Sequence, residues 1–161
     1  MSPDNHRARA LGRELINTHN RLRRELRRVS QELEEHNGGS IRPLRDLRAH
    51  CLTFCQAVTD HHTGEDTTVF PVLAQQFPDL APVLTELAAD HRLIADILTR
   101  MTELLTDVST DNLAAVRSEI SGLTAIVESH FQWEERRITT ALDRLPPTDH
   151  PEIEWSRTDS R

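Results

Sequence analysis

The sequence contains no lysine and no tyrosine, only two cysteines, and five glycines in 161 residues. Without tyrosine the chain can offer neither a phenolate ligand nor a tyrosyl radical. Cys51 and Cys55 sit four apart on an expected helix, where a disulfide between them would be strained, so they are read as reduced packing residues, with Cys51 the more buried. Scarce glycine, with 37% hydrophobic and 28% charged residues, suits a helical bundle better than a turn-rich sheet protein. No apolar run approaches the roughly eighteen residues that span a bilayer, and Met1 to Ala10 is polar rather than a signal sequence. A cytoplasmic chain with no membrane partner is therefore expected. An excess of basic charge is missing too. The formal charge of -7 argues against nucleic acid as a partner, because neutralising phosphates needs a net basic surface. The run Arg21, Arg23, Arg24, Arg27, Arg28 is read as the solvated face of an amphipathic helix rather than as a patch for an acidic ligand.

The length fits one domain. Residues 1–8 form a polar N-terminal segment, 9–145 a helical bundle, and 146–161 a C-terminal tail in which Trp155 is the candidate to dock. From about Arg9 to Glu35, Leu11, Leu15, Leu22, Leu26, Val29 and Leu33 recur at helical spacing, and His19 fills the one gap. Asn37-Gly38-Gly39-Ser40 then turns the chain. A second helix starts near Pro43 with the stripe Leu44, Leu47, Cys51, Phe54, Val58, and the next two positions of that series are His61 and Glu65. Pro71 should kink or end this ladder about a turn earlier. Gly64 inside the helix costs about 1 kcal/mol relative to alanine, which points to tight packing there.

A third helix over about Leu80 to Asp107 carries Leu84, Leu87, His91, Ile94, Leu98, Met101 and Leu105. Ser109, Thr110 or Asp111 is expected to cap the fourth. That helix reads Leu113, Val116, Ile120, Leu123, Val127, His130, Glu134, Ile138, Leu142 and Leu145, and stops at Pro146-Pro147. Four helices with short connections predict an all-α, up-down-up-down four-helix bundle.

Polar side chains interrupt the inward stripes at few places: His19, His61, Glu65, His91, His130 and Glu134. With a rise of about 1.5 Å per residue and antiparallel neighbours, these lie early on the up-going helices and late on the down-going ones, hence at one level. Two facing buried carboxylates would be costly through desolvation and repulsion, and a divalent metal pair removes that cost. For a single histidine, a satisfied core or surface residue is the ordinary reading, but six such positions in one layer have no other partners in sight. Imidazole and carboxylate without thiolate suit iron, manganese or zinc. His6, His36, His50 and His150 fall off the layer and are read as ordinary. His62, one step off the stripe, is read first as a surface neighbour, with support for the ligands or direct ligation as alternatives. No histidine has a glutamate three residues before it, so the Glu-x-x-His order of ferritin-like di-iron bundles is absent.

His19, His61-x-x-x-Glu65, His91 and His130-x-x-x-Glu134, with the stretch His61-His62-Thr63-Gly64-Glu65-Asp66 and Phe70-Pro71, resemble the hemerythrin-like family, the HHE cation-binding domain, over about residues 9–145. The resemblance implies a hemerythrin-like fold around a non-haem centre of two iron ions, oxo- or hydroxo-bridged. His19 and His61 would bind one iron, His91 and His130 the other, and Glu65 and Glu134 would bridge them. The oxygen-carrying hemerythrins have a further histidine one turn before the position of His91, where this chain has Leu87, so open positions and chemistry with a small oxidant or gas (oxygen, hydrogen peroxide, nitric oxide) are favoured over reversible oxygen carriage. Glu86 or His62 would be the residues to compensate. A peroxide- or nitric-oxide-consuming oxidoreductase is the leading reading, and a non-enzymatic iron, oxygen or redox sensor or store is the alternative; the electron donor is left open. Leu22, Phe54, Val58, Leu87, Ile94, Val127, Phe131 and Trp133 are the expected walls of a dry pocket, with Leu22 closing one end.

Overall fold

The computed structural model describes residues 10–35, 41–109, 111–146, 150 and 152–156, the side chains of 41–44 excepted. The expected N-terminal segment, His6, His36, the Asn37 to Ser40 turn, Thr110 and the side chain of Leu44 lie outside the described residues. The first stripe winds into α1 (Leu11–Glu35), and its apolar members are all buried. The second helix, α2 (Ile41–Gly64), starts slightly before Pro43, which therefore lies in the first turn, where its missing N–H deprives the helix of nothing.

The disturbance expected from Pro71 takes a specific form. Glu65–Val69 is a π-helical turn, in which the Phe70 amide donates to the Glu65 carbonyl five residues back, and α3 (Phe70–Gln76) then opens with Pro71 in its first turn. The ladder widens by one residue instead of breaking. Such single π turns concentrate at functional sites. A short 3-10 turn, Pro78–Leu80, leads into α4 (Ala81–Thr106), and α5 spans Leu113–Asp143.

The cap of α5 is neither Ser109 nor Asp111. Asn112 stands before the helix, and its side chain turns back: Oδ1 accepts the Ser109 amide at 2.9 Å, and Nδ2 donates to the Leu104 and Asp107 carbonyls at 3.1 Å. It therefore satisfies the carbonyl end of α4.

α1 packs against α2 and α5, and α4 packs against the same two, which closes a four-helix bundle without strands among the described residues. Each helix turns its three-and-four stripe inward. The buried side chains form two separate apolar bodies. One contains Leu22, Leu26, Phe54, Val58, Ile94, Leu98, Val127 and Phe131, and the other Leu11, Leu15, Val69, Leu73, Leu84, Leu87, Ile138 and Leu142. Between them lies the polar layer. Among the described residues no helix is long and apolar enough to cross a membrane.

Candidate metal centre

His19 on α1, His61 on α2, Glu65 at the start of the π turn, His91 on α4, and His130 and Glu134 on α5 are all buried in that layer. Glu134 presents Oε1 to His19 Nε2 at 3.1 Å, and Oε2 to His130 Nε2 at 3.3 Å and His91 Nε2 at 3.7 Å. Glu65 Oε1 lies 3.2 Å from His61 Nε2 and 3.4 Å from His91 Nε2. Each carboxylate therefore meets imidazoles from both halves of the layer.

His62 corrects the sequence reading. It is buried, its ring stacks on His91 at 4.0 Å between centroids, and it stands edge-on to His130 at 5.3 Å. Two groups of possible metal ligands result: His19, His61, Glu65 and Glu134, and His62, Glu65, His91 and His130, with the donor atoms of each group within 4.8 Å of one another. Adjacent helical residues diverge by about 100°. His61 consequently meets His19 on α1, while His62 meets His91 on α4. The signal was legible, since Val58, His62 and Glu65 also follow four-then-three spacing. Glu86 does not compensate for Leu87, because it points to solvent.

Three rings are held from behind by a hydrogen bond at Nδ1, and the fourth, His19, has only a nearby carboxylate there. The Trp155 carbonyl lies 2.7 Å from His61 Nδ1, Asp66 Oδ1 2.8 Å from His91 Nδ1, Asp90 Oδ2 3.1 Å from His130 Nδ1, and Glu135 Oε1 3.4 Å from His19 Nδ1. A carbonyl can only accept, so His61 carries its proton on Nδ1 and turns the Nε2 lone pair inward. Carboxylates impose the same orientation on His91 and His130. Asp90, Glu135 and the Trp155 carbonyl escaped the sequence reading because each supports a ring on another segment. Arg23 was likewise read as solvated, yet it is half-buried, pairs with Glu135 at 2.8 Å and Glu128 at 2.9 Å, and lies over Phe131. Arg21, Arg24, Arg27 and Arg28 are exposed as expected.

Burial and then the charge of Glu134 push the Glu65 carboxyl well above its usual range. Burial acts the same way on Glu134 but is outweighed by Glu65 and by His130, His19 and His91, so that carboxyl stays well below it. Burial lowers His61 to about 3, with His19 adding to the effect, and drives His62 well below the imidazole range. His91 is pushed up to about 11, because Asp66, Glu134 and Glu65 outweigh its burial, and His19 is raised because Glu134 and Glu135 outweigh its own. Burial would raise Glu135, but His19 and Arg23 bring it down to about 2.

Whether these residues fit a metal is decided by their unpartnered atoms. Nε2 of His19, His61 and His62 and both oxygens of Glu65 and of Glu134 are buried without a hydrogen-bond partner. Seven such donors in one layer, all nitrogen or carboxylate oxygen, fit cations that take mixed imidazole and carboxylate ligands. The upward shifts of Glu65, His91 and His19 favour protons at these atoms, and a cation facing the same atoms would compete with them.

Of the expected walls, Leu22, Phe54, Val58, Ile94, Val127 and Phe131 are buried on one side of the layer and Leu87 on the other. Trp133 is no wall. It sits one position before Glu134, faces outward with 38% exposure, and carries Arg137 over its ring. A cavity of about 160 Å³ reaches the His62 and His91 rings from outside, lined by Thr59, Thr63, Asp66 and Arg92 among others. Its rim is polar. His50 pairs with Glu32 at the surface, whereas His150 is buried and bonded to the Pro146 carbonyl.

The family described as the hemerythrin HHE cation binding domain matches the chain over residues 11–143. No individual curated protein and no solved structure matches it.

Proposed function

The chain belongs to the hemerythrin HHE cation-binding family, and from that premise we propose that the layer holds two iron ions and reacts with a small oxidant or gas such as hydrogen peroxide or nitric oxide. His19 and His61 hold one ion, His62, His91 and His130 the other, and Glu65 and Glu134 face both. Support for this division comes from Glu65 belonging to both ligand groups and from the two oxygens of Glu134 pointing to opposite halves. Iron, once bound, supplies one-electron redox chemistry and Lewis acidity.

The protein's own part is orientation and access. Asp66, Asp90 and the Trp155 carbonyl fix the His91, His130 and His61 rings, so that Nε2 faces inward before any ligand arrives. The two apolar bodies exclude water from above and below the layer. With His62 the layer contains five imidazoles, so Leu87 no longer implies a deficit of nitrogen ligands. The distribution is unequal instead, with two imidazoles on one side and three on the other.

The observation that favours access of a small reactant to the layer is the open cavity against His62 and His91. Thr59, Thr63, Asp66 and Arg92 offer hydrogen-bond partners beside the two rings. The test is consumption of added peroxide or nitric oxide by iron-loaded protein. Sustained removal over many equivalents is expected. A single stoichiometric change followed by silence would favour a sensor or store, and a stable oxygen adduct released on deoxygenation would favour carriage.

A further inference from the structure

The family match ends at residue 143, yet the chain beyond it returns to the centre. Ile153 is buried in the second apolar body, and Trp155 packs against that body. The carbonyl of Trp155 accepts the His61 Nδ1 proton at 2.7 Å, and the indole lies 6.4 Å from the imidazole with its plane inclined by 29°. The indole Nε1 is itself buried without a hydrogen-bond partner. The indole is half-buried, with Nε1 turned away from solvent.

Two residues, Gly64 at the end of α2 and Thr68 in the π turn, form the dock. Thr68 Oγ1 accepts the Glu154 amide at 2.9 Å and lies 3.1 Å from the Glu154 carbonyl and 2.6 Å from the Gly64 carbonyl, so its single proton is shared between those two oxygens. Gly64 is the second element. A Cβ there would fall on the Glu154 carbonyl oxygen and within 3.0 Å of the Trp155 and Ser156 backbones. Gly64 has ordinary helical dihedrals, so its backbone does not require glycine. The requirement is close approach of a second main chain. A residue that weakens the helix interior is thus placed where the returning segment crosses it.

We infer that Ile153 to Trp155 is a strap integral to the centre: docked on Gly64 and Thr68, it positions His61 through the Trp155 carbonyl and sets metal affinity in the His19 and His61 half. The inference rests on the metal reading proposed above. Thr68 and Gly64 are positioning residues that act through the strap. The other half does not depend on it, since His91 and His130 are held by Asp66 and Asp90.

The test uses full-length chain carrying Trp133→Phe, so that Trp155 is the sole indole, with Thr68→Val, Thr68→Ser or Gly64→Ala added. Emission recorded without added metal reads the dock. Titration with cobalt(II) then reads stoichiometry, affinity and the ligand-field spectrum. Thr68→Val and Gly64→Ala are expected to shift Trp155 emission to the red, to weaken one of the two metals about tenfold to a hundredfold and to change its spectrum, whereas Thr68→Ser keeps the parental behaviour. Unchanged emission in both disruptive variants would overturn the dock. Released Trp155 with parental affinity and spectrum at both metals would overturn the positioning role. Failure of the parent to bind cobalt would overturn the metal reading itself, and the parent titration separates that outcome from the other two.

Discussion

Asp66 Oδ1 lies 2.8 Å from His91 Nδ1, so the residue next to Glu65 in the chain supports an imidazole on a different helix. The π turn that carries Asp66 also carries Glu65, which couples a candidate ligand and the support of another in one local structure. Asp66→Asn should weaken metal binding about tenfold to a hundredfold, in the half containing His91, without unfolding the bundle. Competition titration against a chelator, with far-ultraviolet circular dichroism as control, checks this. Parental affinity would show the contact to be incidental.

Glu65→Gln separates stability from binding. Burial and the facing Glu134 push the Glu65 carboxyl towards its neutral form, so an uncharged isostere should remove little from the protein stripped of metal. Its thermal midpoint should stay level or rise, while metal capacity falls, because the amide is a poor substitute in both ligand groups. Melting curves with and without metal give both readouts. A large loss of stability without metal, together with full metal capacity, would contradict the assignment.

Much of this was legible from spacing alone. The six layer residues fell in the gaps of four apolar stripes, and antiparallel packing at a fixed rise per residue brought them to one depth. His62 was half-legible: its four-then-three spacing from Val58 to Glu65 was present, but the stronger stripe through His61 drew the reading away from it. Asp66, Asp90 and Glu135 could be seen as neighbours of ligands, yet which ring each one holds depends on side-chain direction across helix interfaces. The Trp155 carbonyl is further still from sequence logic, because a main-chain atom has no residue code. Gly64 gave the one local hint, a helix weakness whose cause proved to be the returning strand of main chain.

The two thiols give an alkaline prediction. Burial raises Cys51 to about 12 and Cys55 to about 11, from an ordinary value of 9.0. The folded state therefore favours the neutral thiols. Their contribution is fully present below about pH 9 and is lost as pH rises through 11 to 12, since the unfolded chain ionises first. Reduced protein should lose unfolding free energy over that window, and Cys51→Val should lose less. At pH 8 both thiols should resist iodoacetamide until the chain is unfolded. Rapid alkylation of folded protein would contradict this burial.

Phe131 joins the apolar body to the layer. It is fully buried and stacks on His19 at 3.9 Å with an interplanar angle of 7°. Phe131→Ala should cost about 3–5 kcal/mol of stability through the cavity it leaves. Denaturant unfolding measures this, and a loss below about 1 kcal/mol would mean that the layer does not rely on its apolar floor.

The most direct test of the account is the iron content of purified protein reconstituted anaerobically and freed of excess metal. Two ligand groups sharing Glu65 give an expected ratio of about two irons per chain. A ratio of one or none would contradict the proposed centre.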